Sequence, residues 1–163
     1  MGARAGGGAE VVIVACAFDH AGVPLRTRIL AEVAQAGHEV LDLGTDRPEP
    51  IDYPDKALEV GRAILSGEAE RGILVCGSGA GVSVAACKIR GIRAATIHDT
   101  YTAHQAVQHD DVNVLCLGGR VIGSELAAEI VSAFLGAVVS FEERHVRRRA
   151  KTEEIERTGG LSD

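Results

Sequence analysis

The feature that most constrains this 163-residue chain is a fivefold alternation of short apolar runs with segments of helical spacing. The runs are VVIVACA (11–17), HEVLDLG (38–44), RGILVC (71–76), GIRAATI (91–97) and VNVLCLG (112–118). Residues 22–37 follow the first, with Leu25, Ile29, Leu30 and Val33 on one face and Gly37 as a stop. Further helices are expected over 52–67, where Pro54 stands near the start, and from 81 to 89. Two more follow over 99–109, capped by Asp99 or Thr100, and over 123–136, capped by Ser124. A charged helix over 141–157 closes the pattern. Strands this continuously rich in Val and Ile are buried on both faces, which implies a mostly parallel sheet with helices on each side. The expected architecture is a three-layer α/β sandwich: a five-stranded sheet, helices on both faces and a C-terminal helix. Residues 10–157 would form one domain, with 1–9 a flexible leader and 158–163 a flexible tail.

Composition removes several function classes. Aromatic residues are 3% of the chain and Trp is absent, so platforms for stacking bases are not expected. A formal charge of −6 disfavours nucleic acid and anionic membranes as partners. The start MGARAGGGAE lacks the apolar core of a signal peptide, and no apolar run reaches 18 residues. Cys16, Cys76, Cys87 and Cys116 form no CxxC pair and no metal-ligand spacing, so no metal is expected. Cys16 and Cys116 lie in apolar runs and read as small core residues. Cysteine usage of this kind suits a reducing, cytoplasmic setting.

Chemistry concentrates in the turn after the third run. There the chain reads Cys76-Gly77-Ser78-Gly79-Ala80-Gly81, then enters a helix. Ligands of parallel α/β sheets bind beyond the carboxyl ends of the strands, where this turn lies with Asp19-His20 and Gly118 to Arg120. Glycines admit a ligand close to the backbone, and the following helix offers free N–H groups. Thiols at helix N-termini are held as thiolates more readily than free cysteine, so Cys76 reads as a base or nucleophile beside oxyanion donors. The alternative is a buried strand-end cysteine beside a structural turn. The stretch fits neither a dinucleotide fingerprint, a P-loop nor a nucleophile elbow. A thiol, the Ser78 hydroxyl and a nest of amides suit proton abstraction next to a carbonyl. Arg144 and Arg148, at i and i+4, share a helix face and together can grip a phosphate dianion, unless this helix is merely a solvated charged one.

Seven segments then appear in order: FDHAG (18–22), DYPD (52–55), CGSGAGVSVAACK (76–88), GIRAA (91–95), HDDVNVL (109–115), LGGRVIG (117–123) and ERHVRRR (143–149). Together they resemble the type B ribose-5-phosphate isomerases, whose family includes galactose-6-phosphate isomerases, over about residues 11–157. The resemblance implies a Rossmann-like fold and a homodimer whose active sites draw on both subunits, with a tetramer left open. It implies aldose–ketose isomerisation of a sugar phosphate through a cis-enediol, without metal or cofactor. Cys76 would move the proton between C1 and C2. Ser78 and the amides of Gly77, Gly79, Ala80 and Gly81 would hold the enediolate. His109 would open the sugar ring. Asp19 and His20 would bind the sugar end, and Arg120, Arg144 and Arg148 the substrate, the last two mainly at phosphate. Some members carry a glutamate base six residues after the cysteine position; Val82 stands there, which puts this chain in the cysteine class.

Three segments depart from the family pattern: Asp110 where asparagine is usual, Cys87 in place of an amide, and Glu142-Glu143 where two glycines are usual. Asp110 would still line the sugar site. These departures leave open a tetrose or hexose phosphate as the preferred substrate. A non-catalytic sugar-phosphate sensor is the reading from another class.

Overall fold

The computed structural model describes residues 10–162. The expected leader, residues 1–9, lies outside the described residues.

Five strands form one sheet: β1 (Ile13–Phe18), β2 (Glu39–Asp42), β3 (Arg71–Cys76), β4 (Ala94–Thr96) and β5 (Val114–Gly118). Their order is β2-β1-β3-β5-β4, and every pairing is parallel. Six helices complete the fold: α1 (Val23–Gln35), α2 (Tyr53–Leu65), α3 (Ala80–Cys87), α4 (Thr100–Asp110), α5 (Ser124–Gly136) and α6 (Glu143–Thr158). The sheet is wholly parallel because each strand is followed by a helix that returns the chain to the same starting edge.

Side chains alternate along the strands with period two and sort into two cores. Val14, Cys16, Phe18, Ile73, Val75, Leu115 and Leu117 pack with α1, α4 and α5. Ala15, Ala17, Leu74, Cys76, Val114 and Cys116 face the other way, toward α2 and α3. The sixth helix lies outside both layers. It packs against α4, and its only buried residue is His145.

Expected and observed boundaries agree within a few residues, and the differences have local causes. Edge strands β2 and β4 are shorter than the apolar runs that contain them, because each has a single strand neighbour to pair with. Asp99 caps α4 by accepting the Thr102 N–H at 2.7 Å. Ser124 does not cap α5: Gly123 holds the cap position, and Ser124 is the first helical residue, with no side-chain cap bond.

Two histidines serve the fold as neutral acceptors. His38 Nδ1 accepts the Val12 N–H at 3.3 Å, and His98 Nε2 accepts the Gly118 N–H at 2.9 Å. Burial lowers both below the ordinary value of 6.5, and Arg71 adds to the shift at His38. Because the unfolded chain takes up these protons first, stability is complete above the unfolded value and is lost as pH falls through it. Thermal melts should therefore show a falling midpoint from about pH 7.5 to about pH 5, and this slope should flatten in a His38→Gln/His98→Gln variant.

Candidate active site

In a sheet of order 2-1-3-5-4 the strand order reverses between β1 and β3, and parallel α/β sheets bind ligands beyond the carboxyl ends of the strands at such a switch point. Phe18 ends β1 and Cys76 ends β3, so Asp19-His20 and the glycine turn flank this switch point. The third wall is the turn after β5. Its backbone is tied to the glycine turn by Gly119 N–H to Cys76 O at 2.7 Å and Arg120 N–H to Gly77 O at 3.0 Å.

This tight seam explains two of the glycines. Gly79 sits at φ +81°, a left-handed conformation that starts α3 and that side chains rarely adopt. At Gly119 a Cβ would lie 2.2 Å from the Ala21 carbonyl oxygen, so backbone meets backbone there.

Cys76 is buried, with 3% of its surface exposed, and the Gly79 N–H donates to its Sγ at 3.2 Å. Ser78 is exposed, and its Oγ accepts the Ala80 N–H at 3.2 Å. Two of the four amides expected to hold an enediolate are thus engaged by Cys76 and Ser78. Arg120 is exposed, and its side chain lies over Gly77. The Tyr53 ring packs on Gly81 at the start of α3 and stays 41% exposed at the rim.

Two of the other cysteines, Cys16 and Cys116, show what a core thiol looks like. Burial, with the Asp42 charge adding, pushes Cys16 up to about 12, and burial also raises Cys116. Both are fully buried in the sheet, in keeping with the inert role expected of them.

Asp19 is buried, and its Oδ1 accepts the amides of Ala21 and Gly22 at 2.9 and 3.0 Å. One carboxylate oxygen therefore holds the turn into α1. His20 Nδ1 accepts the Ile51 N–H at 3.2 Å, which leaves the proton on Nε2.

Two bracing residues, His98 and Thr96, had no expected role. His98 binds the Gly118 amide, and Thr96 Oγ1 donates to the Gly79 carbonyl at 2.7 Å. Both follow from the end of β4 lying beside β5. The only signal in the sequence was their place at the carboxyl end of a strand.

The remaining candidates lie elsewhere. Helix α4 leaves the carboxyl edge after β4 and ends before β5 begins, so His109 and Asp110 stand at the amino edge of the sheet. Helix α6 starts there too, because α5 has run back from the carboxyl edge and Ser140 N–H binds the Gln108 carbonyl. Arg144 and Arg148 are both exposed on α6. Arg144 pairs with Glu142 at 3.0 Å, whereas Arg148 makes no ion pair among the described residues. The two edges are separated by the length of a strand, about 15 Å for the five residues of β5. One chain thus carries its candidate residues in two separate groups, candidate half-sites on opposite edges. Cys76, Ser78, Asp19, His20 and Arg120 form one; His109, Asp110, Arg144 and Arg148 form the other. No described helix is long and apolar enough to cross a membrane, and no cluster of metal-ligating side chains occurs among the described residues.

Comparison with known proteins bears on this geometry. The family described as Ribose/Galactose Isomerase matches residues 14–152. The chain is 47% identical to ribose-5-phosphate isomerase B of Escherichia coli over 124 residues, 76% of this chain and 83% of that one. It is 44% identical to D-erythrulose-4-phosphate isomerase of Pectobacterium atrosepticum over 126 residues, 76% and 82% of the two chains. Among solved structures, type B ribose 5-phosphate isomerase of Trypanosoma brucei superposes with a TM-score of 0.85 at 46% identity, covering 89% of this chain and 99% of that one. Ribose-5-phosphate isomerase B of Mycoplasma genitalium, solved with bound ribulose-5-phosphate, gives 0.82 at 36% identity, covering 90% and 97%. The chain belongs to the ribose/galactose isomerase family and is a sugar-phosphate aldose–ketose isomerase akin to ribose-5-phosphate isomerase B.

Proposed function

We propose that this enzyme interconverts D-ribose 5-phosphate and D-ribulose 5-phosphate through a cis-enediolate, in a homodimer whose active sites each combine both half-sites. His109 of one subunit opens the furanose by moving a proton at the ring oxygen. Cys76 of the other takes the C2 proton of the open aldehyde and returns one to C1. Charge that develops on O1 and O2 meets Ser78 and the amides of Gly77, Gly79, Ala80 and Gly81 at the start of α3. Asp19 and His20 hold the sugar end, with Asp110 and Arg120 beside it. Arg144 and Arg148 take the phosphate dianion. A proton shift of this kind needs neither metal nor cofactor. The setting is the cytoplasm, where free cysteines stay reduced.

The observation that carries the reading is the buried thiol at the switch point, with a helix-start amide donating to its sulfur at 3.2 Å. A binding-only protein has no use for such a group, which weighs against a sensor.

The dimer rests on the two half-sites. A two-fold axis running across the strands would turn the carboxyl edge of one subunit against the amino edge of its partner. Helix α3 supplies a surface for this contact. Its sequence, AGVSVAAC, is apolar on every side, yet Val84 is 62% exposed. A helix apolar all round is normally covered on all sides.

A second reading keeps the chemistry and changes the substrate to a tetrose 4-phosphate. The erythrulose-phosphate relative favours it, being almost as similar as the ribose-phosphate one. Steady-state kcat/KM on ribose 5-phosphate, D-erythrulose 4-phosphate and galactose 6-phosphate separates the possibilities. Ribose 5-phosphate is expected to lead. A tetrose phosphate ahead by about tenfold or more would install the second reading, and inactivity on all three with phosphate-analogue binding intact would favour the sensor.

A further inference from the structure

The amino-edge half-site contains a histidine with no part in the chemistry above. His145, in the first turn of α6, is 3% exposed. Its ring stacks on that of His109, with centroids 4.0 Å apart and planes 25° from parallel. Its Nδ1 lies 2.9 Å from Ser140 Oγ. Arg149 grips the same assembly from the next turn of the helix: Nη1 donates to the His109 carbonyl at 3.0 Å and Nη2 to the Ser140 carbonyl at 2.8 Å. The His109 ring is thus held by His145 and its carbonyl by Arg149, both on α6, although α4 ends at the next residue.

We propose that His145 is a positioning residue for ring opening: stacked on His109 and anchored to Ser140, it fixes the plane in which the His109 imidazole meets the sugar ring oxygen. This rests on the ring-opening role proposed for His109. Burial, together with the charges of His109, Arg144 and Arg148, lowers the His145 pKa, and Glu142 opposes the shift.

The test exploits a difference between substrates. Ribose 5-phosphate closes a furanose through O4 and must be opened. A tetrose 4-phosphate carries its phosphate on that oxygen and reacts without ring opening. His145→Ala should lower kcat on ribose 5-phosphate by about tenfold or more, while kcat on D-erythrulose 4-phosphate changes by less than about twofold. His145→Phe, which keeps an aromatic face and fills the site, should recover part of the loss. A second measurement uses ribose 5-phosphate alone. In a Cys76→Ala background, enzyme-catalysed exchange between the furanose anomers, read by saturation-transfer NMR, should fall when His145→Ala is added. Equal losses on both substrates, or unchanged anomer exchange, would overturn the positioning role. If His109→Asn discriminates between the substrates and His145→Ala does not, only this proposal fails. If His109→Asn does not discriminate, the ring-opening role fails and the proposal falls with it.

Discussion

Cys76→Ala is expected to lower kcat for sugar-phosphate isomerisation by at least about 100-fold, equivalent to about 2.7 kcal/mol of barrier. Binding of a phosphate-bearing substrate analogue should persist, because the arginines proposed to hold phosphate lie on the other half-site. The side chain is small and the substitution leaves the seam between the turns after β3 and β5 intact, since Gly119 and Arg120 bind backbone carbonyls rather than the thiol. The one hydrogen bond removed is that from Gly79 N–H to sulfur. The fold should therefore survive, and a melting midpoint near that of the wild type is the control. Activity retained within about tenfold would move the base to another group.

Much of this architecture is legible in the sequence because strand and helix periods differ. The five apolar runs and the helical segments between them give a parallel sheet, and a parallel sheet puts the glycine turn at its carboxyl edge. Asp99 could be recognised as a cap from its place before a helical run, and Cys16 and Cys116 as core thiols from their apolar flanks. The separation of Cys76 from His109 is implicit in the same alternation, since a helix between parallel strands must end at the opposite edge. What the sequence does not carry is packing between remote elements. The His109–His145 stack depends on how α6 lies across α4, and nothing in ERHVRRR distinguishes the buried histidine from its exposed neighbours. The bracing roles of Thr96 and His98 likewise depend on the β4–β5 register. Asp19 shows the converse case: the residue is where the motif puts it, but one of its carboxylate oxygens is spent on the turn amides of Ala21 and Gly22.

The proposed active site joins residues from opposite edges of two chains, and subunit mixing tests this directly. Cys76→Ala and His109→Asn are each expected to be nearly inactive as homodimers, because each removes one partner from every site. Co-expressed with different tags and purified through both, the two variants form a heterodimer. One of its sites joins the intact Cys76 of one chain to the intact His109 of the other, and the second site lacks both. The doubly tagged species should therefore regain about half of the wild-type activity per dimer. Activity no higher than that of the parent variants, in a heterodimer shown to be assembled, would contradict an active site shared between subunits.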